Sequence, residues 1–221
     1  MMRTVFDRLF RFFGPQYWWP AETKFEVCVG SILTQNTAWT NVERAIHNLK
    51  KENLLSPYAI VQVPDERLRE LIRPAGFFNQ KAERLKIFAK FLIDNGGFEK
   101  LSLLPLYSLR EKLLNLKGVG RETADSMILY AFEKPIFVVD AYTKRLFYRM
   151  GFIDSEKIDY DVLREKVERS LPKDIELFSE FHALIVKHCK EFCRKKPLCE
   201  GCPLIDGCKF WRNGAAQGSH R

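Results

Sequence analysis

The run Leu116-Lys117-Gly118-Val119-Gly120-Arg121-Glu122-Thr123-Ala124-Asp125 sets the architecture of this chain. Glycines at 118 and 120 let the backbone take left-handed angles and bring its amides close to another molecule. Thr123, Ala124, Met127, Ile128 and Ala131 then recur at helical spacing, so the turn opens a helix with one buried face. Amides at the head of a helix suit a phosphate, and Arg121 adds a cation. Taken alone, a Gly-x-Gly turn before a helix is more often a structural turn than a phosphate site. An apolar run, Ile136 to Val139, follows downstream and ends at Asp140.

Outward from this turn the pattern is helical almost everywhere. Phe25, Cys28, Val29, Ile32 and Leu33 fall on one helical face, with Cys28 read as a plain core residue, and Val42, Ala45, Ile46 and Leu49 repeat the pattern. Amphipathic segments follow at 82–93, 109–116, 160–171 and 178–187. Pro64, Arg73-Pro74-Ala75-Gly76, Asn95-Gly96-Gly97 and Pro105 mark loops. Ile136 to Val139 resembles a strand, but nothing nearby offers a partner strand, so it reads as the buried start of a helix. The sequence predicts an all-α protein. From Trp211 onward it reads as a flexible tail.

A net charge of +8 and a pI near 9.2 fit a polyanionic partner, although many basic proteins share these values. No uncharged apolar stretch of about 18 residues is present, so no membrane span is expected. Arg3, Asp7, Arg8 and Arg11 interrupt the apolar residues of 1–13, which breaks the core a secretory signal needs. A cytoplasmic location is expected.

Cys193-x5-Cys199-x2-Cys202-x5-Cys208 is the second strong signal. Four thiols in such short loops suit one metal centre better than two disulfides. Zinc and an iron-sulfur cluster both satisfy four thiolates, and spacing does not separate them. Arg194-Lys195-Lys196 lies within the first cysteine loop and reads as a phosphate contact or a solvated basic face.

Four segments in order, SILTQNT, LKGVGRETAD, VVDAYTKR and the cysteine cluster, span roughly residues 20 to 208. The chain thereby resembles the helix-hairpin-helix DNA glycosylases of the endonuclease III superfamily. The resemblance implies a helical barrel domain with the hairpin (21–133), and a second helical domain (1–20 with 134–210) carrying the cluster loop. Residues 211–221 are left as the tail, and a DNA cleft is expected between the domains. It also implies base-excision repair of double-stranded DNA by a monomer in a bacterial or archaeal nucleoid, and a 4Fe-4S cluster on Cys193, Cys199, Cys202 and Cys208. The first cysteine gap is one residue shorter than the family's usual one, so Cys189 stands as an alternative to Cys193.

Within this resemblance Asp140 is the catalytic residue. Breaking an N-glycosidic bond leaves positive charge on the sugar, and a carboxylate stabilises it or orients a water. The plainer role, capping the helix that starts at Ala141, is compatible with catalysis. Strand-cutting relatives hold a lysine where this chain has Glu122, and a carboxylate cannot form a Schiff base. A monofunctional glycosylase follows.

Trp18-Trp19-Pro20 and Trp39 resemble the base pocket of the type III 3-methyladenine DNA glycosylases, which generally lack the cysteine cluster. Alkylated purines are cationic and are drawn to indole faces, so N3-methyladenine and its relatives are the expected substrates. A base leaving the stack leaves a hole to fill. Gln35 and the Phe77-Phe78-Asn79 turn resemble the family's wedge loops, which makes Gln35, Asn36, Phe77, Asn79, Gly118, Gly120, Arg121 and Thr123 the candidate DNA contacts. Two rivals stay open. One is a uracil or thymine mismatch glycosylase with Asn36 on the pyrimidine edge; the other is a non-catalytic DNA-binding hairpin module.

Overall fold

The structure, a computed structural model, describes residues 1–217, and all regular elements among them are helical. In chain order they are α1 (Met2–Phe13), α2 (Lys24–Leu33), α3 (Trp39–Lys51), α4 (Pro57–Gln62), α5 (Asp65–Ile72), α6 (Phe78–Asp94), α7 (Gly97–Ser102), α8 (Leu106–Leu114), α9 (Arg121–Tyr130), α10 (Ala141–Met150), α11 (Tyr160–Ser170), α12 (Ile175–Glu191) and α13 (Lys209–Gln217), with 3-10 turns at Arg73–Ala75 and Ile205–Gly207. The all-α expectation holds. None of these helices is long and apolar enough to cross a membrane.

The chain divides into two compact units, Trp19–Lys134, and Met1–Trp18 with the described residues from Pro135 on. In Trp19–Lys134, α2 is buried from Phe25 to Leu33 on every side and packs against α3, α6 and α9. A helix apolar all round is stable only when neighbours wrap it. Thr23 starts it, its hydroxyl accepting the Glu26 N–H at 3.0 Å. Each large apolar side chain so buried contributes roughly 1.5–3 kcal/mol before chain entropy is subtracted. α8 packs on α9 across the Gly118 turn to form the hairpin. The pair is tied by Arg110, which donates to both oxygens of the fully buried Asp125 at 2.7 and 3.1 Å. Such a forked contact fixes both position and orientation.

In the other unit α12 packs against α1 and α10. Ile136 to Val139 is buried but lies outside any helix, which corrects the reading of that run as the start of a helix. Its buried amides find side-chain acceptors instead of a helical ladder. Phe137 N–H donates to Glu168 Oε1 at 3.0 Å and Val139 N–H to the Tyr160 hydroxyl at 3.4 Å. The helix begins only at Ala141.

The segment read as a flexible tail from residue 211 is helical as far as Gln217, in α13. The Cys208 carbonyl accepts the Arg212 N–H at 3.1 Å, and the Arg149 guanidinium sits 4.9 Å from the centre of the Phe210 ring. These contacts anchor its first turn. Residues 218–221 of that tail lie outside the described residues.

Candidate active site

Gly118 has φ 84°, in the region that favours glycine, and a Cβ there would collide with the Arg84 side chain. Gly120 is the N-cap of α9, and Gly120, Arg121 and Glu122 are all exposed. The hairpin thus offers α9's first amides, one cation and one carboxylate to solvent. Thr123 is different. Its side chain is buried, and its hydroxyl accepts a 3.0 Å hydrogen bond from Gln35 Nε2, which leaves its backbone amide in the first turn of α9 as the group it could offer.

Gln35, the other wedge candidate, is tied to the same turn. Its Nε2 also donates to the Gly118 carbonyl at 3.0 Å, and its Oε1 accepts from Arg84. With all three contacts inside the protein, this amide braces the hairpin in the DNA-free structure. Phe77 has the opposite character. It is 62% exposed and holds a left-handed φ of 47° directly before α6. A bulky non-glycine residue there carries about 1–3 kcal/mol of strain, which persists only where the surroundings enforce it. Asn36, at φ 54°, and Asn79 are exposed nearby in sequence to these turns.

Trp19, Trp39 and Tyr130 gather in one place. The Trp19 ring stands edge-on to Trp39 at 5.1 Å and tilted against Tyr130 at 5.3 Å. It lies over Gly30 of α2, where an added Cβ would come within 3.1 Å of the indole. Trp39 donates its indole N–H to Glu43 at 3.0 Å. The two tryptophans therefore touch each other and do not face across a gap wide enough for a base. Pro20 is exposed beside them in sequence, and Trp18 belongs to the other unit, where its carbonyl accepts from the Ser179 hydroxyl at 3.4 Å.

Asp140 is the N-cap of α10. Its Oδ1 accepts the Thr143 N–H at 2.7 Å and the Thr143 hydroxyl at 2.9 Å, while its Oδ2 lies 3.5 Å from His182 Nε2. The side chain is only 12% exposed. Burial acts to raise the carboxyl, but the His182 and Thr143 contacts outweigh it and hold Asp140 below its ordinary value. A carboxylate is thus kept ionised and oriented in a nearly dry place, with one oxygen spent on the cap.

None of the six cysteines is in a disulfide, and Cys28 is buried in the core as read from the sequence. Cys193, Cys199, Cys202 and Cys208 border one hollow, shared with apolar side chains such as Leu146, Leu198 and Phe210. Arg149 Nη1 donates to Cys193 Sγ at 3.3 Å, and His188 Nε2 lies 3.9 Å from Cys202 Sγ. The neighbouring Cys189 thiol, with His188 and Arg149, lowers the Cys193 thiol against the opposing effect of burial. Cys189 itself is driven up, and its thiol donates to the Tyr142 carbonyl at 3.6 Å away from the hollow. No three His, Cys, Asp or Glu among the described residues close up as around a single metal ion. Four soft donors around a hollow, beside a fixed cation, do fit an anionic cluster of several metals.

Several residues of these sites escape a reading of the sequence. His182 and Thr143 are found only through Asp140, and Gly30 only through the indole above it. Lys81 carried a signal: it is a lysine within the apolar stripe Ala82, Leu85, Phe88, Ala89 and Leu92 of α6, 1% exposed. Burial, with Arg84 adding to it, brings its pKa down to about 8.

Residues 29–173 match the HhH-GPD superfamily of base excision DNA repair proteins. Over 211 residues the chain is 54% identical to a candidate DNA repair glycosylase of Methanocaldococcus jannaschii, which covers 94% of this chain and 96% of that one. Among solved structures, that of a non-covalent endonuclease III–DNA complex superposes with a TM-score of 0.82 over 97% of both chains, at 24% identity. That of an H. pylori 3-methyladenine DNA glycosylase bound to 1,N6-ethenoadenine superposes with a TM-score of 0.69 over 86% of this chain and 94% of that one, at 32% identity.

Proposed function

We propose that this chain, which belongs to the HhH-GPD superfamily of base-excision DNA repair proteins, is a monofunctional glycosylase that removes alkylated purines such as N3-methyladenine. The observation that carries this reading is Asp140, an ionised carboxylate held by Thr143 and His182 at the head of α10. As the C1′–N bond breaks, its electron pair leaves with the base and positive charge builds on the sugar. A fixed, poorly hydrated carboxylate stabilises that charge and orients the water that adds to C1′. A purine alkylated on a ring nitrogen is already cationic and departs neutral, so no general acid is needed.

Glu122 supports the absence of strand cleavage, since a carboxylate at the first turn of α9 offers no amine for a sugar imine. The aromatic group of Trp19, Trp39 and Tyr130 supports a cationic base, because indole faces attract positive charge. With Trp19 already against Trp39, stacking on Trp39 requires the two rings to part or the base to use an outer face. The structural likeness to a 3-methyladenine glycosylase points the same way. For the DNA grip we assign the amides after Gly118 and Gly120, Arg121, and the exposed Asn36 and Asn79, with Phe77 as the wedge in a monomeric enzyme. Cys193, Cys199, Cys202 and Cys208 would hold a 4Fe-4S cluster, which when bound supplies a rigid structural cross-link. Arg194-Lys195-Lys196 would then present its charge to phosphate.

A base-release assay over a panel of damaged duplexes tests the reading. Release of N3-methyladenine with an intact strand is the expected result. Excision of uracil or mismatched thymine with methylpurines ignored would overturn the substrate assignment in favour of a pyrimidine pocket, and binding without release of any base would favour a non-catalytic module.

A further inference from the structure

α6 carries two cations one turn apart that the chemistry above leaves unused. Lys81 is buried, and its ammonium donates 2.8 Å hydrogen bonds to the carbonyls of Leu33, the last residue of α2, and Ala75, in the 3-10 turn. The strained residues Asn36 and Phe77 lie just beyond these two carbonyls in sequence. Arg84, on the same face of α6, donates to Gln35 Oε1, and Gln35 Nε2 passes the connection to the Gly118 carbonyl. The Arg84 side chain also fills the space that a Cβ on Gly118 would need. One face of one helix thus ties the turn after α2, the turn that presents Phe77, and the hairpin.

A hydrophobic core needs none of this. A methionine in place of Lys81 fills similar volume without desolvating an ammonium, which is costly unless its donors are satisfied. Left-handed conformations at Asn36 and Phe77 likewise persist only if neighbouring bonds over-determine them.

We propose that Lys81 and Arg84 are positioning residues that hold these three turns as one rigid DNA-facing surface, so that insertion of Phe77 and the hairpin's grip on the backbone are coupled. This rests on the reading of Phe77 as the wedge.

The test is a double-mutant cycle on the full chain, Lys81→Met and Phe77→Ala singly and together. It is read by single-turnover base release and by the fluorescence of 2-aminopurine placed beside the lesion, which reports extrusion. Lys81→Met is expected to slow release about tenfold and to weaken the fluorescence change, with unaltered helical circular dichroism; in the Phe77→Ala background it should cost less than about twofold. If Phe77→Ala leaves release and fluorescence intact, the wedge reading falls and the coupling with it. If Phe77→Ala slows release, but Lys81→Met has no effect or slows both backgrounds equally, the wedge stands and the role of Lys81 is overturned. Should Lys81→Met fail to fold, Arg84→Met at the half-buried end of the network enters the same cycle, and additivity there overturns the proposal.

Discussion

Replacing Asp140 by asparagine and by alanine separates its two jobs. An asparagine oxygen can still accept from the Thr143 N–H and hydroxyl, now at 2.7 and 2.9 Å from Asp140 Oδ1. Asparagine and aspartate are near-equal N-caps, so Asp140→Asn should keep the cap and lose the charge at a helix head, about 0.3–1 kcal/mol, together with the buried contact to His182. The charge facing His182 and the sugar is gone entirely. Losing a pre-positioned group that stabilises developing charge costs roughly 2.7–4 kcal/mol, a 10²–10³-fold fall in release rate. Alanine should match that fall and lose the cap as well, a further ~1 kcal/mol or about 2–4 °C in Tm. Single-turnover release of N3-methyladenine, thermal unfolding and binding to undamaged duplex measure the three quantities independently. Duplex affinity should be largely unchanged in both variants. If Asp140→Asn releases base within about threefold of wild type, the carboxylate is only a helix cap and the catalytic assignment is wrong.

Borohydride should trap no covalent protein–DNA adduct on an abasic duplex; a robust trapped band would mean that an amine such as Lys117 does what Glu122 cannot. Purified protein should be yellow-brown with broad absorption near about 400 nm and carry iron and sulfide, whereas colourless protein with stoichiometric zinc would refute the cluster. Because Asp140 is held below its ordinary carboxylate value, release should persist as pH falls through about 4, and the stability its contacts contribute is present above the unfolded value and lost only below that range. His182→Ala removes one lowering contact and should move the acid limb of the pH–rate profile upward; an unmoved limb would show that His182 does not set it. Trp39→Ala should cut release of a cationic alkylpurine by an amount worth about 1–2 kcal/mol, roughly five- to thirtyfold, and leave affinity for undamaged duplex nearly unchanged. Equal losses on both would make Trp39 a scaffold residue.

What the sequence made legible is what is local. The hairpin glycines, the cysteine spacing and the cap at Asp140 are each written within a dozen or so residues, and the helical periodicity carries the all-α class by itself. What stayed hidden depends on partners far along the chain. Gln35 reads as a polar residue ending an apolar helix, yet its amide reaches Gly118 and Thr123, 83 and 88 residues away, contacts that nothing near it in sequence announces. Ile136 to Val139 departed from the helical reading for a related reason, since Glu168 and Tyr160 supply acceptors that no nearby residue announces. Phe77 could not be read as left-handed, because phenylalanine has no propensity for that region and only the surrounding structure imposes it.

The same division explains why two carboxylates at helix heads do different work. Glu122 is exposed in the first turn of α9, where water reaches it and the helix dipole gains it at most a modest stabilisation. Asp140 sits at the head of α10 with water largely excluded, and there Thr143 and His182 must replace the hydration it has lost. In that drier setting a fixed charge interacts with a developing cation far more strongly than it would in water. Chemistry follows burial and partners, not residue type. A carboxylate with the surroundings of Glu122 could not stabilise an oxocarbenium ion well, and one with those of Asp140 could not be kept ionised if its threonine and histidine contacts were removed.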